Sequence, residues 1–125
     1  MDRRALAEWI ELYERAWRTP GTELVAELFA PDATYSTAPF TDPHRGLAAI
    51  EQLWEAERAG PDERFTLAAQ ILAVEGDTGV AQVEIVYEDA SRHEGLHYLD
   101  LWIVRLDDEG RCTSFEEWYW LKPAG

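Results

Sequence analysis

The stretch His97 to Leu106, HYLDLWIVRL, is an apolar and aromatic run with one carboxylate, Asp100, near its middle. A buried ionised carboxylate costs several kcal/mol unless it is paired or hydrogen-bonded, and otherwise it takes up a proton. Two readings are open. Asp100 is either a solvated residue on an open sheet face or the polar centre of a ligand pocket. In a pocket, a partly desolvated carboxyl with a raised pKa can act as a general base near neutral pH, or as a protonated hydrogen-bond donor. The other reactive residue types carry less. His44, His93 and His97 each read as lone surface residues. His44, which follows Asp42-Pro43 in a loop able to rim a pocket, is the one with a candidate binding role. Cys112 has no placed base partner and reads as a small packed residue. No His/Cys/Glu spacing suggests a zinc site. There is no Gly-rich phosphate loop and no G-x-S-x-G elbow. No metal and no cofactor is expected.

Composition narrows the partner class. The chain has 125 residues, suited to a single domain over residues 1–125 with one core. Apolar residues make up 46%, so a packed core is expected and disorder is not. Six Trp, five Tyr and four Phe suffice to fill a core and still line a pocket or an interface. Acids outnumber bases 25 to 11, for a formal net charge of -14. Such a field repels polyphosphates and anionic membrane surfaces, so neither nucleic acid nor membrane is an expected partner. A neutral or cationic small molecule fits better. A single cysteine permits no intrachain disulfide and agrees with a reducing cytoplasm. The Glu-studded N-terminus has no apolar h-region of a signal peptide, and no run approaches the ~20 residues of a membrane span.

The elements that must position these residues follow from periodicity. Leu6, Trp9, Ile10, Tyr13 and Trp17 form an amphipathic helical stripe, stopped by Thr19-Pro20-Gly21. Thr22 can cap a short second helix bearing Leu24, Val25, Leu28 and Phe29, which Pro31 and Asp32 end. ATYST reads as a short strand and APFTDPHRG as a loop. Leu47, Ile50, Leu53 and Trp54 mark a third helix, ended by GPDE at Gly60. The period then becomes strand-like. Strands are expected at Phe65 to Glu75, Val80 to Glu88, Leu96 to Leu106 and Cys112 to Leu121, with turns at Gly76-Asp77 and Asp107 to Gly110. Helices followed by an antiparallel meander predict an α+β fold with helices on one sheet face.

Three segments carry a family resemblance: ELVAELFAPDATYS, DPHRGLAAIEQLW and DDEGRCTSFEEWYW. They look like the short helix and first strand, the Gly-led third helix and the closing hairpin of the NTF2-like superfamily, which includes ketosteroid isomerases, limonene epoxide hydrolases and SnoaL-type polyketide cyclases. The resemblance implies a cone, in which a curved antiparallel sheet and three N-terminal helices enclose a pocket. It is nearly silent on activity, because this fold hosts many chemistries.

Spacing alone leaves the inward strand face open. The resemblance implies that Trp102, Phe115 and Tyr119 line the pocket, which brings Tyr98, Asp100 and Glu117 inward with them. It implies a wall completed by Trp9, Trp17, Tyr35, His44, Leu53, Trp54, Val83 and Ile85. It also implies an oxyanion-binding role for Tyr13, sixteen residues before Phe29, and a second catalytic acid at Glu117. The chain departs from relatives in two places. The general base of ketosteroid isomerases falls at Thr37, with Asp42 five residues away, so the usual steroid isomerase dyad is not expected. The Arg-x-Asp of epoxide hydrolases has no clear counterpart in Val80 to Asp89.

The leading expectation is a SnoaL-like enzyme doing cofactor-free isomerisation, cyclisation or hydration on an apolar metabolite, with Asp100, Tyr13 and Glu117 catalytic. The alternative is a non-catalytic protein of the same fold that binds a hydrophobic or cationic ligand. The outward set Leu99, Leu101, Ile103, Trp118 and Trp120 is too apolar for a solvated face and predicts a homodimer.

Overall fold

A computed structural model of the chain describes residues 1–58, 64–88 and 96–123. Helix α1 (Arg3–Arg18) opens on Asp2, whose side chain accepts from the Ala5 amide at 2.8 Å, satisfying one otherwise orphaned N–H. Its stripe of Leu6, Trp9, Ile10, Tyr13 and Ala16 is buried, as the periodicity predicts. Trp17, one step around the helix, is half-buried.

Helix α2 (Val25–Leu28) is a single turn, shorter than the sequence suggested. Its cap residue is Leu24, with no side-chain hydrogen bond. Thr22 contributes its backbone carbonyl, which accepts from Val25 N at 3.2 Å. Phe29, expected on that helix, already begins strand β1 (Phe29–Ser36), which runs through the Pro31 and Asp32 expected to end the helix and so starts before the Ala33 of the expected strand. The reason lies in the ladder. Pairing of β1 with the last strand shifts register between Phe29 and Thr34, so Pro31 sits where no N–H is demanded of it. The expected loop contains a two-residue strand, β2 (His44–Arg45), paired with Tyr35 and Thr34. Helix α3 (Leu47–Glu57) follows Gly46, whose φ of +88° is accessible to glycine at little cost. Its expected stop at Gly60 lies outside the described residues.

The other strands are β3 (Phe65–Glu75), β4 (Thr78–Tyr87), β5 (His97–Leu106) and β6 (Cys112–Leu121). They form the expected antiparallel meander, and β1 joins it by a parallel pairing with β6. The six strands run β2-β1-β6-β5-β4-β3 in a curved sheet that does not close. The inward faces of β4, β5 and β6 bury Ala81, Val83, Trp102, Val104 and Phe115 against α1. Burying each large side chain of this kind is worth roughly 1.5–3 kcal/mol. Gly79 permits the closest helix–sheet approach. A Cβ there would meet Leu6 Cδ2 at 2.6 Å. Among the described residues no helix is long and apolar enough to cross a membrane.

Candidate functional site

Strand alternation assembles the site. On β5, Tyr98, Asp100, Trp102 and Val104 share a face; on β6, Phe115, Glu117 and Tyr119 do. The antiparallel register sets Trp102 opposite Glu117 and Asp100 opposite Tyr119. Asp100 and Glu117 are therefore diagonal cross-strand neighbours, within reach for side chains of this length. The face is turned toward α1, where the rings of Tyr13 and Trp102 pack 4.6 Å apart between centroids.

A cavity of about 230 Å³ lies between this face and the helices. Its wall includes Tyr13, Trp17, Tyr35, Leu53, Trp54, Ile85, Tyr98, Asp100, Trp102, Glu117 and Tyr119 of the expected residues. Four expected residues are not brought to it. Trp9 packs in the core against Phe29 and Phe115, with its indole N–H donating to the Leu28 carbonyl at 2.9 Å. Val83 and Phe115 are fully buried in the same core. Their positions face inward, but helix side chains fill the space before a ligand could reach it. His44 sits half-buried in edge strand β2, away from the wall.

The wall also holds Thr37, Glu57, Phe65, Leu67 and Tyr87, which the sequence reading did not select. Signals for most of them existed. Glu57 lies one turn beyond Leu53 and Trp54 on α3. Leu67 stands opposite Ile85 and Phe65 opposite Tyr87 in the β3–β4 register, so all four share a face.

The polar groups cluster on β5 and β6. Asp100 is 2% exposed. Its Oδ2 accepts from the Trp102 indole N–H at 3.2 Å. Its Oδ1 receives no N–H or hydroxyl donor. The carboxyls of Asp100 and Glu117 stand close enough to perturb one another. A hydrogen bond between two carboxyls requires that one of them carry a proton. Burial pushes Asp100 upward, opposed by the hydrogen bonds from Glu117 and Trp102. Glu117 is pushed well above the usual carboxylate range, first by burial and then by the Asp100 charge. Of the two carboxyls, Glu117 is pushed up the further and is the readier to carry a proton. Carboxyls that interact this closely titrate as a unit.

A second polar pair links α1 to β1, with the hydroxyl oxygens of Tyr13 and Tyr35 2.6 Å apart. One O–H hydrogen serves that bond and the other is left over. Burial raises both phenols well above their ordinary value, so both remain neutral donors. Tyr98 is raised by burial as well.

The remaining reactive residues stand apart. His97 bonds Glu84 at 2.8 Å on the outer sheet face, consistent with its parity with Leu99. His93 lies outside the described residues. Cys112 is buried and its thiol is pushed up to about 12, chiefly by desolvation, which leaves it unreactive at neutral pH. Among the described residues no group of three or more His, Cys, Asp or Glu is placed to hold a metal ion.

Comparison with known proteins places this geometry. A family model described as the SnoaL-like domain matches residues 9–115. No curated protein matches significantly. Several solved structures are similar. A candidate polyketide cyclase from Sinorhizobium meliloti is 21% identical, covering 89% of this chain and 94% of its own, with a TM-score of 0.65. An NTF2-like protein of unknown function from Mesorhizobium loti is 25% identical over 96% of this chain and 95% of its own, at 0.68. SalBIII, an epoxide hydrolase/cyclase-like enzyme of pyran ring formation in the polyether salinomycin, is 15% identical over 95% and 93%, at 0.74. The likeness to the cyclase and to SalBIII is one of fold.

Proposed function

The chain belongs to the SnoaL-like domain family, and from that premise we propose that it performs cofactor-free acid–base chemistry on a small, largely apolar metabolite. Isomerisation, cyclisation and hydration all need a proton removed at one atom and delivered at another. The placement of Asp100 and Glu117 as diagonal neighbours on one cavity wall carries this reading, because it offers both functions there. Asp100, the anion, takes a proton from the substrate. Glu117, the acid, gives its proton to the oxygen on which charge develops. The pair ends with one proton, as it began. Tyr13, with Tyr35 behind it, and Tyr98 supply neutral O–H donors for that oxygen. Among the structural neighbours, one is a candidate polyketide cyclase and another is an epoxide hydrolase/cyclase-like enzyme with a role in pyran ring formation, which supports the reading.

The test is turnover of a panel of ketones and lactones by Asp100→Asn. General acid–base catalysis contributes ~10²–10⁴-fold, so kcat should fall by that factor while circular dichroism stays unchanged. Retained turnover by a folded variant would remove Asp100 from the chemistry.

A second reading is a ligand-binding protein of the same fold. The wall favours it, since nine of its sixteen residues are aromatic. A ligand that quenches tryptophan fluorescence and is recovered chemically unchanged would support it.

We also propose that two copies pair through the outer faces of β5 and β6. Leu101, Trp118 and Trp120 are 39%, 48% and 74% exposed there, beside the half-buried Leu99 and Ile103. Two bare indoles in one apolar patch are costly to leave in water.

A further inference from the structure

We infer that the substrate of this site carries a protonated amine, seated at the Asp100 carboxylate. The inference rests on the acid–base reading of the same cavity and adds the class of molecule that enters it.

Three observations converge. The first is the state of Asp100. It is almost fully buried at the cavity wall, Oδ2 is satisfied by Trp102, and Oδ1 receives no N–H or hydroxyl donor. A buried carboxylate oxygen without a donor is expensive. An ammonium brings three N–H donors and a full positive charge to that position.

The second is the charge of the wall. Asp100, Glu117 and Glu57 come to it from β5, β6 and α3, and the Glu57 charge is felt at Glu117. Among the described wall residues none is Lys, Arg or His. A carboxylate or phosphate substrate would meet like charge. The net charge of -14 draws a cation toward the protein before contact.

The third is the ring array. Tyr87, Tyr98 and Tyr119 line the cavity and pack edge-to-face in sequence, at 6.1 and 5.9 Å between centroids. Ring faces near a carboxylate attract a desolvated cation.

Facing Asp100 and Glu117 are Tyr13 from α1, Tyr35 from β1, Glu57 from α3, Tyr87 from β4, Tyr98 from β5 and Tyr119 from β6. The ammonium takes the open Oδ1 of Asp100 and leaves Glu117 its proton for the acid–base step.

The experiment is titration calorimetry at pH 7 with 2-phenylethylammonium and its near-isostere 2-phenylethanol, each in phosphate and in Tris. The expected result is at least tenfold tighter binding of the amine, with an apparent enthalpy that is the same in the two buffers. Glu117→Gln should keep the preference, and Asp100→Asn should lose it. Equal or weaker binding of the amine by the wild-type protein, a preference that survives in Asp100→Asn, or an enthalpy that differs between buffers in the sense of proton release overturns the inference. If amine and alcohol bind alike while Asp100→Asn still destroys turnover, the amine inference fails and the acid–base reading stands. Amine preference with turnover unaffected by Asp100→Asn has the opposite meaning.

Discussion

Tyr13 and Tyr35 join the first helix to the first strand through hydroxyl oxygens 2.6 Å apart, both buried beside the Asp100–Glu117 pair. Removing one hydroxyl leaves the other unpaired in a dry site, at a cost of about 1–3 kcal/mol, whereas removing both is nearly neutral. Tyr13→Phe and Tyr35→Phe should each lower stability by that amount in urea unfolding. The double variant should lose markedly less than the two single losses added together. Additive losses would mean the hydroxyls are not partners in solution.

The Trp102 indole N–H donates to Asp100 and helps hold it ionised. Trp102→Phe keeps a ring in the core and removes the N–H. The Asp100 pKa should rise further, read from side-chain carboxyl carbons by NMR and assigned with Asp100→Asn. An unmoved value would mean the indole bond does not govern the charge.

The acid pair also links stability to pH. Both carboxyls have folded pKa values raised above the unfolded ones, so between those values the native state binds more protons than the unfolded state. Their contribution is then greatest at or below the ordinary carboxylate range and is lost as pH rises through the raised values. The urea midpoint should fall from about pH 5 to pH 8 more steeply in the wild-type protein than in Glu117→Gln, taking the unfolded reference near the ordinary carboxylate pKa. Parallel slopes would show that Glu117 does not hold the proton.

Gly79 lets α1 lie close on β4. An added Cβ would come within 2.6 Å of Leu6 Cδ2, and Leu6 is fully buried with no room to retreat. Gly79→Ala should destabilise by about 1–3 kcal/mol through overpacking. A neutral or stabilising result in thermal unfolding would place the helix farther from the sheet.

The outer face predicts self-association. Light scattering at micromolar concentration should report a dimer, and Trp120→Lys combined with Leu101→Glu should report a monomer with unchanged secondary structure. A wild-type monomer would dispose of the pairing.

Much of this was legible in the chain itself. The stripe from Leu6 to Trp17 marks α1 because a 3.6-residue period is a local property. Alternation grouped Asp100 with Tyr98 and Trp102, and Glu117 with Phe115 and Tyr119, for the same reason. Gly76 and Gly110 announced turns through their tolerance of positive φ, realised at +60° and +83°. Pro31 misled as the expected end of the short helix, because that helix already stops at Leu28 and the shifted β1–β6 register lets the strand run through the proline.

The remainder depended on contacts distant in sequence. Pairing of β5 with β6 decided that Asp100 and Glu117 stand together, since alternation places residues on a face but not beside particular neighbours. The packing of α1 decided that Trp9, Val83 and Phe115 are core whereas Trp17, Trp54 and Tyr119 are wall. Apolar character is the same in both sets, and depth along the cavity is set only when helix and sheet meet. Residue types and periods determined that this chain would build a curved sheet with a polar spot in an aromatic face. Tertiary structure decided which carboxyls stand together there, because burial and like charge act through space and not along the chain.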